Sequence, residues 1–223
     1  MNLDITRRKL QGWIKLLSAR HIAKGKTWYT DAHCFADEVA KTYSLPVEKV
    51  IGVLAVLSPQ NRWDTNKRDC EAFCRAHAEG LDLADVTCAT YESQKRKAID
   101  ILTTDASTAD LIGTKYAPKT RAFYDNILNP GTSYRVTIDR WILRGLDLDS
   151  FAKTGKQTSG NSYVALYRGL EELFRQAALK LDLRPCELQA AVWCCIQDTA
   201  RDESWEGSRP GTGTTAEDEP APF

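Results

Sequence analysis

Apolar residues recur along this chain at intervals of three and four almost from end to end, the spacing that turns one face of an α-helix inward. Leu3, Ile5, Leu10, Trp13, Ile14 and Leu17 predict a helix over residues 3–20, and a second is expected over 28–43. The next, "SLPVEKVIGVLAVLS", has Ser44 as expected N-cap and Pro46 in its first turn. From Val50 to Leu57 it is apolar on nearly every side, which predicts a central, buried helix.

Polar-faced helices follow at "NRWDTNKRDCEAFCRAHA" and "YESQKRKAIDIL", and another at "APKTRAFYDNIL". After the turn signal Asn129-Pro130-Gly131 comes "RVTIDRWILR", residues 135–144, where one carboxylate, Asp139, stands inside an apolar run. Residues 161–181 place Tyr163, Leu166, Leu170, Leu173 and Ala177 on one face, and "RPCELQAAVWCCIQD" predicts the last helix. Strand signals are few and no repeat is evident, so the expected class is all-α.

Composition narrows the partners. Of 223 residues, 43% are hydrophobic and 27% charged, as in an ordinary globular protein. No apolar run is long enough for a transmembrane helix, and the amphipathic N-terminus does not read as a signal peptide; a cytoplasmic monomer with no membrane partner is expected. The formal net charge is zero, but residues 201–223 carry six acids and two arginines. That Gly-, Pro- and Thr-rich acidic tail is expected to be disordered, leaving a mildly basic folded domain over residues 1–200. Such a body is compatible with a nucleic-acid partner. Lys153 and Lys156, in a polar loop at 145–160, are candidate phosphate contacts.

Seven cysteines show no disulfide-framework or iron–sulfur spacing. Cys70, Cys74 and His77 fall at i, i+4 and i+7 and could face one another as metal ligands, or simply pack as small hydrophobes beside a surface histidine. Cys194 and Cys195 read as core. No metal or cofactor is expected.

Three local signals come in order. At "LAVLSPQNRWDTN" the buried helix stops at Ser58-Pro59-Gln60, because Pro59 disfavours helical backbone at Ser58. Gln60, Asn61, Arg62 and Trp63 follow, groups suited to bases and phosphates or merely to a post-helix turn. At "IGTKYAPKTRAF" a Gly-containing turn enters a helix with Lys115, Lys119, Thr120 and Arg121 near its start, an arrangement that suits a phosphate. Asp139 lies 20 residues beyond Lys119, next to Arg140 and Trp141. Asp139 is either the cap of the helix "RWILRGL", a partly desolvated functional carboxylate, or both.

In that order and spacing, Leu57-Ser58-Pro59-Gln60 with Asn66, then Ala117-Pro118-Lys119-Thr120-Arg121-Ala122, then Ile138-Asp139 with Arg144, the chain resembles the helix-hairpin-helix DNA glycosylase superfamily. The core motifs span residues 45–145. The hairpin carries Gly113 but has Ala117 where a second glycine would stand, and no iron–sulfur cysteines follow Asp139. The likeness is nearer to the short, divergent members of bacteriophages and actinobacteria.

The resemblance implies two helical lobes with a cleft between them, DNA as partner, and action on a flipped base. Asp139 would stabilise the sugar cation or orient the nucleophile, and Lys119 would be the Schiff-base amine. Gln60, Asn61, Arg62, Lys115, Thr120, Arg121 and Arg140 would contact DNA. Trp63 and Trp141 would line the base pocket, or belong to the core. Two alternatives stay open. One is a transferase of phage thymine or 5-hydroxymethyluracil hypermodification on the same scaffold. The other is a non-catalytic DNA-binding protein.

Overall fold

The computed structural model describes residues 3–113, 118–148 and 161–202. Within them the chain is helical, with no strand. The order is α1 (Leu3–Leu16), α2 (Ala19–Tyr43), α3 (Val47–Val56), α4 (Trp63–Ala78), a 3-10 turn (Leu83–Asp85), α5 (Glu92–Thr103) and α6 (Thr108–Ile112). Then come α7 (Pro118–Leu128), α8 (Arg140–Gly145), α9 (Asn161–Leu179) and α10 (Pro185–Asp202).

The first two helices divide differently from the expectation. A capping box at Ser18 and His21 starts α2 nine residues early: the Ser18 hydroxyl accepts from His21 N–H and the His21 ring accepts from Ser18 N–H. Ser44 does not open α3. It closes α2, in the left-handed region at φ 54°, with its own N–H and that of Leu45 both donating to the Ala40 carbonyl. Pro46 then takes the N-cap position of α3 and has no side-chain oxygen to cap with. The sequence clue is ambiguous because a serine just before Leu-Pro serves equally as an end or a beginning. The short α6 is also absent from the expectation.

Val50–Leu57 is wholly buried, as the run of apolar residues predicts. Two clusters of buried apolar side chains form. One gathers α2 to α7 around α3, with Phe73, Ile101, Phe123 and Tyr124 among its largest members. The other joins Leu10 of α1 to Val136, Ile138, Ile142, Leu143 and α9 through Leu166, Leu170, Leu173 and Phe174. Helix α10 belongs to both: Cys186 and Ala190 face the first, Leu188, Val192, Trp193 and Ile196 the second.

Two glycines let α10 come close. A Cβ on Gly25 of α2 would meet Glu187 O at 2.5 Å and the Ala191 Cβ at 2.8 Å. One on Gly145 at the end of α8 would meet Ile196 Cδ1 at 2.5 Å, while the Trp13 indole donates to the Gly145 carbonyl at 2.7 Å. A side chain at Gly25 would run into the α10 backbone and force the helices apart, while one at Gly145 would displace the tip of the Ile196 side chain.

Residues 133–139 have no regular secondary structure, yet much of this segment is buried. Buried backbone groups need partners, and here side chains supply them. The Tyr167 hydroxyl donates to Val136 O at 2.7 Å and accepts from Ile138 N–H at 3.0 Å. Glu171 accepts from Val136 N–H at 3.3 Å. Asn126 donates to Thr137 Oγ1 at 3.1 Å and accepts from Ser133 at 2.6 Å, and Tyr29 Oη lies 2.9 Å from Thr137 Oγ1 and 2.7 Å from Gln189 Oε1. The segment is thus fixed by α2, α7, α9 and α10 together, and it delivers Asp139 at its end.

Candidate active site

Asp139 has extended backbone at the N-cap of α8, and its Oδ1 accepts from Ile142 N–H at 2.8 Å. That is the capping geometry, which satisfies one of the helix's first donors. The second oxygen has another partner. Oδ2 accepts from the Trp193 indole N–H at 3.1 Å, and both residues are buried. The cap bond to Ile142 therefore occupies one oxygen of this carboxylate, and the residue is only 4% exposed.

Lys119 lies in the first turn of α7. Its ammonium donates to Ser58 Oγ at 3.0 Å, and lies 5.7 Å from the centre of the Phe123 ring. Ser58 is buried at the end of α3 and donates to Ala55 O at 2.8 Å. Lys119 touches the first apolar cluster through Phe123, and Asp139 touches the second through Trp193. The charges of Lys119 and Asp139 also act on each other.

Burial dominates the electrostatics of both. It pushes the Asp139 carboxyl well above the usual carboxylate range, opposed by the Ile142 N–H, the Lys119 charge, the Trp193 indole and the Trp141 N–H. It pulls the Lys119 amine well below the ordinary lysine value, opposed by the Asp139 charge and assisted by Arg140. Each group thus stands near enough to hold the other's charge, and desolvation draws both towards their neutral forms. Tyr163, on α9, is pushed up to about 12 by burial and by the Asp139 charge, which places its hydroxyl in the same neighbourhood.

The other expected site residues separate into two groups. Gln60 is exposed at the tip of the turn after α3, in the left-handed region at φ 59°. That backbone is uncommon for a residue with a Cβ. Arg140 is exposed at the start of α8, and Arg62 is half-buried at the start of α4. Trp63 is half-buried and packs on Trp28, with ring centres 5.0 Å apart, and on Phe123 at 6.4 Å; Lys67 lies over it at 5.6 Å. Trp141 is half-buried, with the Arg144 guanidinium 5.3 Å from its ring centre.

Of the residues expected to reach DNA, Asn61 and Arg121 hydrogen-bond within the fold and Thr120 is buried. Asn61 is buried and donates to Leu57 O at 3.3 Å and Asp69 at 2.9 Å, tying the turn to α4. Arg121 donates to Asp125 at 2.9 Å and to Ala109 O at 3.1 Å, joining α7 to α6. Lys115, Ala117, Lys153, Lys156 and the acidic tail beyond Asp202 lie outside the described residues. The Cys70, Cys74 and His77 alignment does not converge: both thiols are in the core, and among the described residues no three potential metal ligands come together. No helix among the described residues is long and apolar enough to cross a membrane.

Ser58 and Trp193 contribute to the site without being singled out by the sequence. Ser58 reads there as a helix stop. Trp193 stands just before Cys194 and Cys195, which read as core. Its signal is chemical: an indole N–H is an obligate donor, and a buried one seeks an acceptor.

No curated protein and no solved structure matches the chain. One family does match, over residues 5–200, which is nearly all of the described structure. The chain belongs to DUF7178, a family of unknown function.

Proposed function

We propose that this chain is a glycosylase-like enzyme that acts on a base flipped out of duplex DNA. The observation that carries the reading is a half-buried lysine, Lys119, held by Ser58 Oγ, whose charge acts on the buried carboxylate of Asp139. An N-glycosidic bond breaks with positive charge growing on the deoxyribose, and a carboxylate in dry surroundings stabilises that charge strongly. An amine whose charge is weakened by burial is a competent nucleophile near neutral pH.

In this reading the neutral Lys119 amine attacks C1′ as the C1′–N bond breaks. The base leaves with the bonding pair and takes up a proton, and loss of a proton from the attached nitrogen and opening of the sugar give a Schiff base. Asp139 remains ionised beside the sugar. The two apolar clusters would serve as the cores of the two lobes, with the cleft between them. Gly113, the glycine of the expected hairpin, closes α6 at φ 81°, a backbone that glycine adopts without strain. The exposed Gln60 would occupy the space a flipped base leaves, and half-buried Trp63 would offer a stacking face.

The test is a set of duplexes bearing uracil, 5-hydroxymethyluracil or an oxidised base, each treated with borohydride. A covalent adduct lost in Lys119→Ala, with excision lost in Asp139→Asn, is the expected result. Failure to form an adduct or an abasic site on any duplex overturns the glycosylase chemistry. Activity on a pyrophosphorylated base instead would assign the scaffold to group transfer.

A further inference from the structure

A carboxylate on a single cap bond keeps a free rotation about its last torsion, and its second oxygen can point several ways. Asp139 has no such freedom. Ile142 N–H fixes Oδ1 from one side at 2.8 Å, and Trp193 Nε1–H fixes Oδ2 at 3.1 Å. The second donor comes from a different helix, 54 residues beyond Asp139 in sequence. An indole N–H can only donate, and Trp193 is 7% exposed, so its N–H requires this bond.

The placement of Trp193 is itself over-determined. Gly25 on α2 and Gly145 on α8 both allow α10 to sit where a larger residue would collide. Trp193 lies between the Gly25 contacts at Glu187 and Ala191 and the Gly145 contact at Ile196. A shift of α10 by about an ångström would break a bond already at 3.1 Å.

We propose that Trp193 is a positioning residue: its indole N–H sets the rotation of the Asp139 carboxylate and favours its charged form beside Lys119. This rests on the functional reading above for its purpose, but its geometry stands apart from any reaction. The groups that act on Asp139 are Lys119 from α7, the Trp141 and Ile142 N–H groups from α8, Tyr163 from α9, Tyr29 from α2 and Trp193 from α10, while Arg140 bears on Lys119. Trp193 joins the carboxylate by a hydrogen bond from a neutral donor, and so it acts without adding charge.

The experiment changes one atom. A benzothienyl analogue of tryptophan, introduced at position 193 by codon suppression in the full chain, keeps the shape and removes the N–H. The Asp139 side-chain carboxyl is then titrated by carbon NMR in both proteins, with Asp139→Asn identifying the signal. A hydrogen bond to a charged group corresponds to a shift of about one pH unit or more, so the Asp139 midpoint should rise by that much. An unchanged midpoint in a folded variant overturns the proposal. Trp193→Phe serves as a second variant, and its midpoint should move the same way.

Excision is measured separately on the unmodified protein. A shifted midpoint with no excision on any duplex leaves Trp193 as the positioning residue and removes the glycosylase reading. Excision with an unshifted midpoint does the reverse.

Discussion

Lys119 donates to Ser58 Oγ at 3.0 Å across 61 residues of chain. The partner is a neutral hydroxyl already donating to the end of α3. It therefore orients the amine without holding a full opposing charge against it. That leaves burial as the main influence on Lys119, with Asp139 as the counterweight.

The pair should write a dip into the stability curve. Asp139 has a raised folded value, so its contribution is fully present below its unfolded value of about 4 and is lost as pH rises through the raised one. Lys119 has a lowered folded value, so its contribution is fully present above its unfolded value of about 10.4 and is lost as pH falls through the lowered one. Urea midpoints from acid to alkaline pH should fall and then rise. Asp139→Asn should flatten the fall and Lys119→Met the rise; parallel curves for all three proteins would contradict the assignment.

Asp139→Ala and Asp139→Asn should separate two roles. The alanine removes the α8 cap and leaves the buried Trp193 N–H without its acceptor, a loss of about 2 kcal/mol or more. Asparagine retains an oxygen for Ile142 and should cost less. Excision should vanish in both, and denaturant unfolding distinguishes them.

Gly25→Ala adds one methyl where α2 and α10 nearly touch. Alanine is the better helix former by about 1 kcal/mol, yet collision with the Glu187 carbonyl should outweigh it. A net loss of about 1–3 kcal/mol is expected in denaturant unfolding. A gain in stability in the Gly25→Ala variant would mean that the two helices separate freely.

Tyr167→Phe deletes one hydroxyl that serves both Val136 O and Ile138 N–H. Each orphaned backbone group costs about 1–3 kcal/mol when buried. Amide exchange at Ile138 should quicken markedly in this variant, while exchange within α4 stays near its original rate.

Arg140→Gln tests the DNA contact. If the exposed guanidinium meets one phosphate, affinity falls for every sequence and the slope of log affinity against log salt drops by about 0.9. An unchanged slope would remove Arg140 from the interface.

The helical class and the central helix are legible in the sequence because periodicity is local. The wholly apolar Val50–Leu57 could be nothing but interior. The Asp139 cap is legible for the same reason, since its partner is three residues away. The bond from Trp193 is not, because nothing within reach in sequence signals it. Asn61 and Thr120 show the limit in the other direction. Their types suit DNA, but their chain positions turn them inwards, and residue type carries no direction.

Because α10 lends opposite faces to both apolar clusters, neither has a complete wall of its own. Detaching that helix exposes both interiors at once and parts Lys119 from Asp139 by admitting water between their supports. Fraying of this region and hydration of the charged pair are then one event, so the chain should not persist half-folded with the pair still dry. Cooperativity here protects the charged pair more surely than depth alone, since any excursion that would let solvent reach it also dismantles the surroundings that draw both groups towards neutrality.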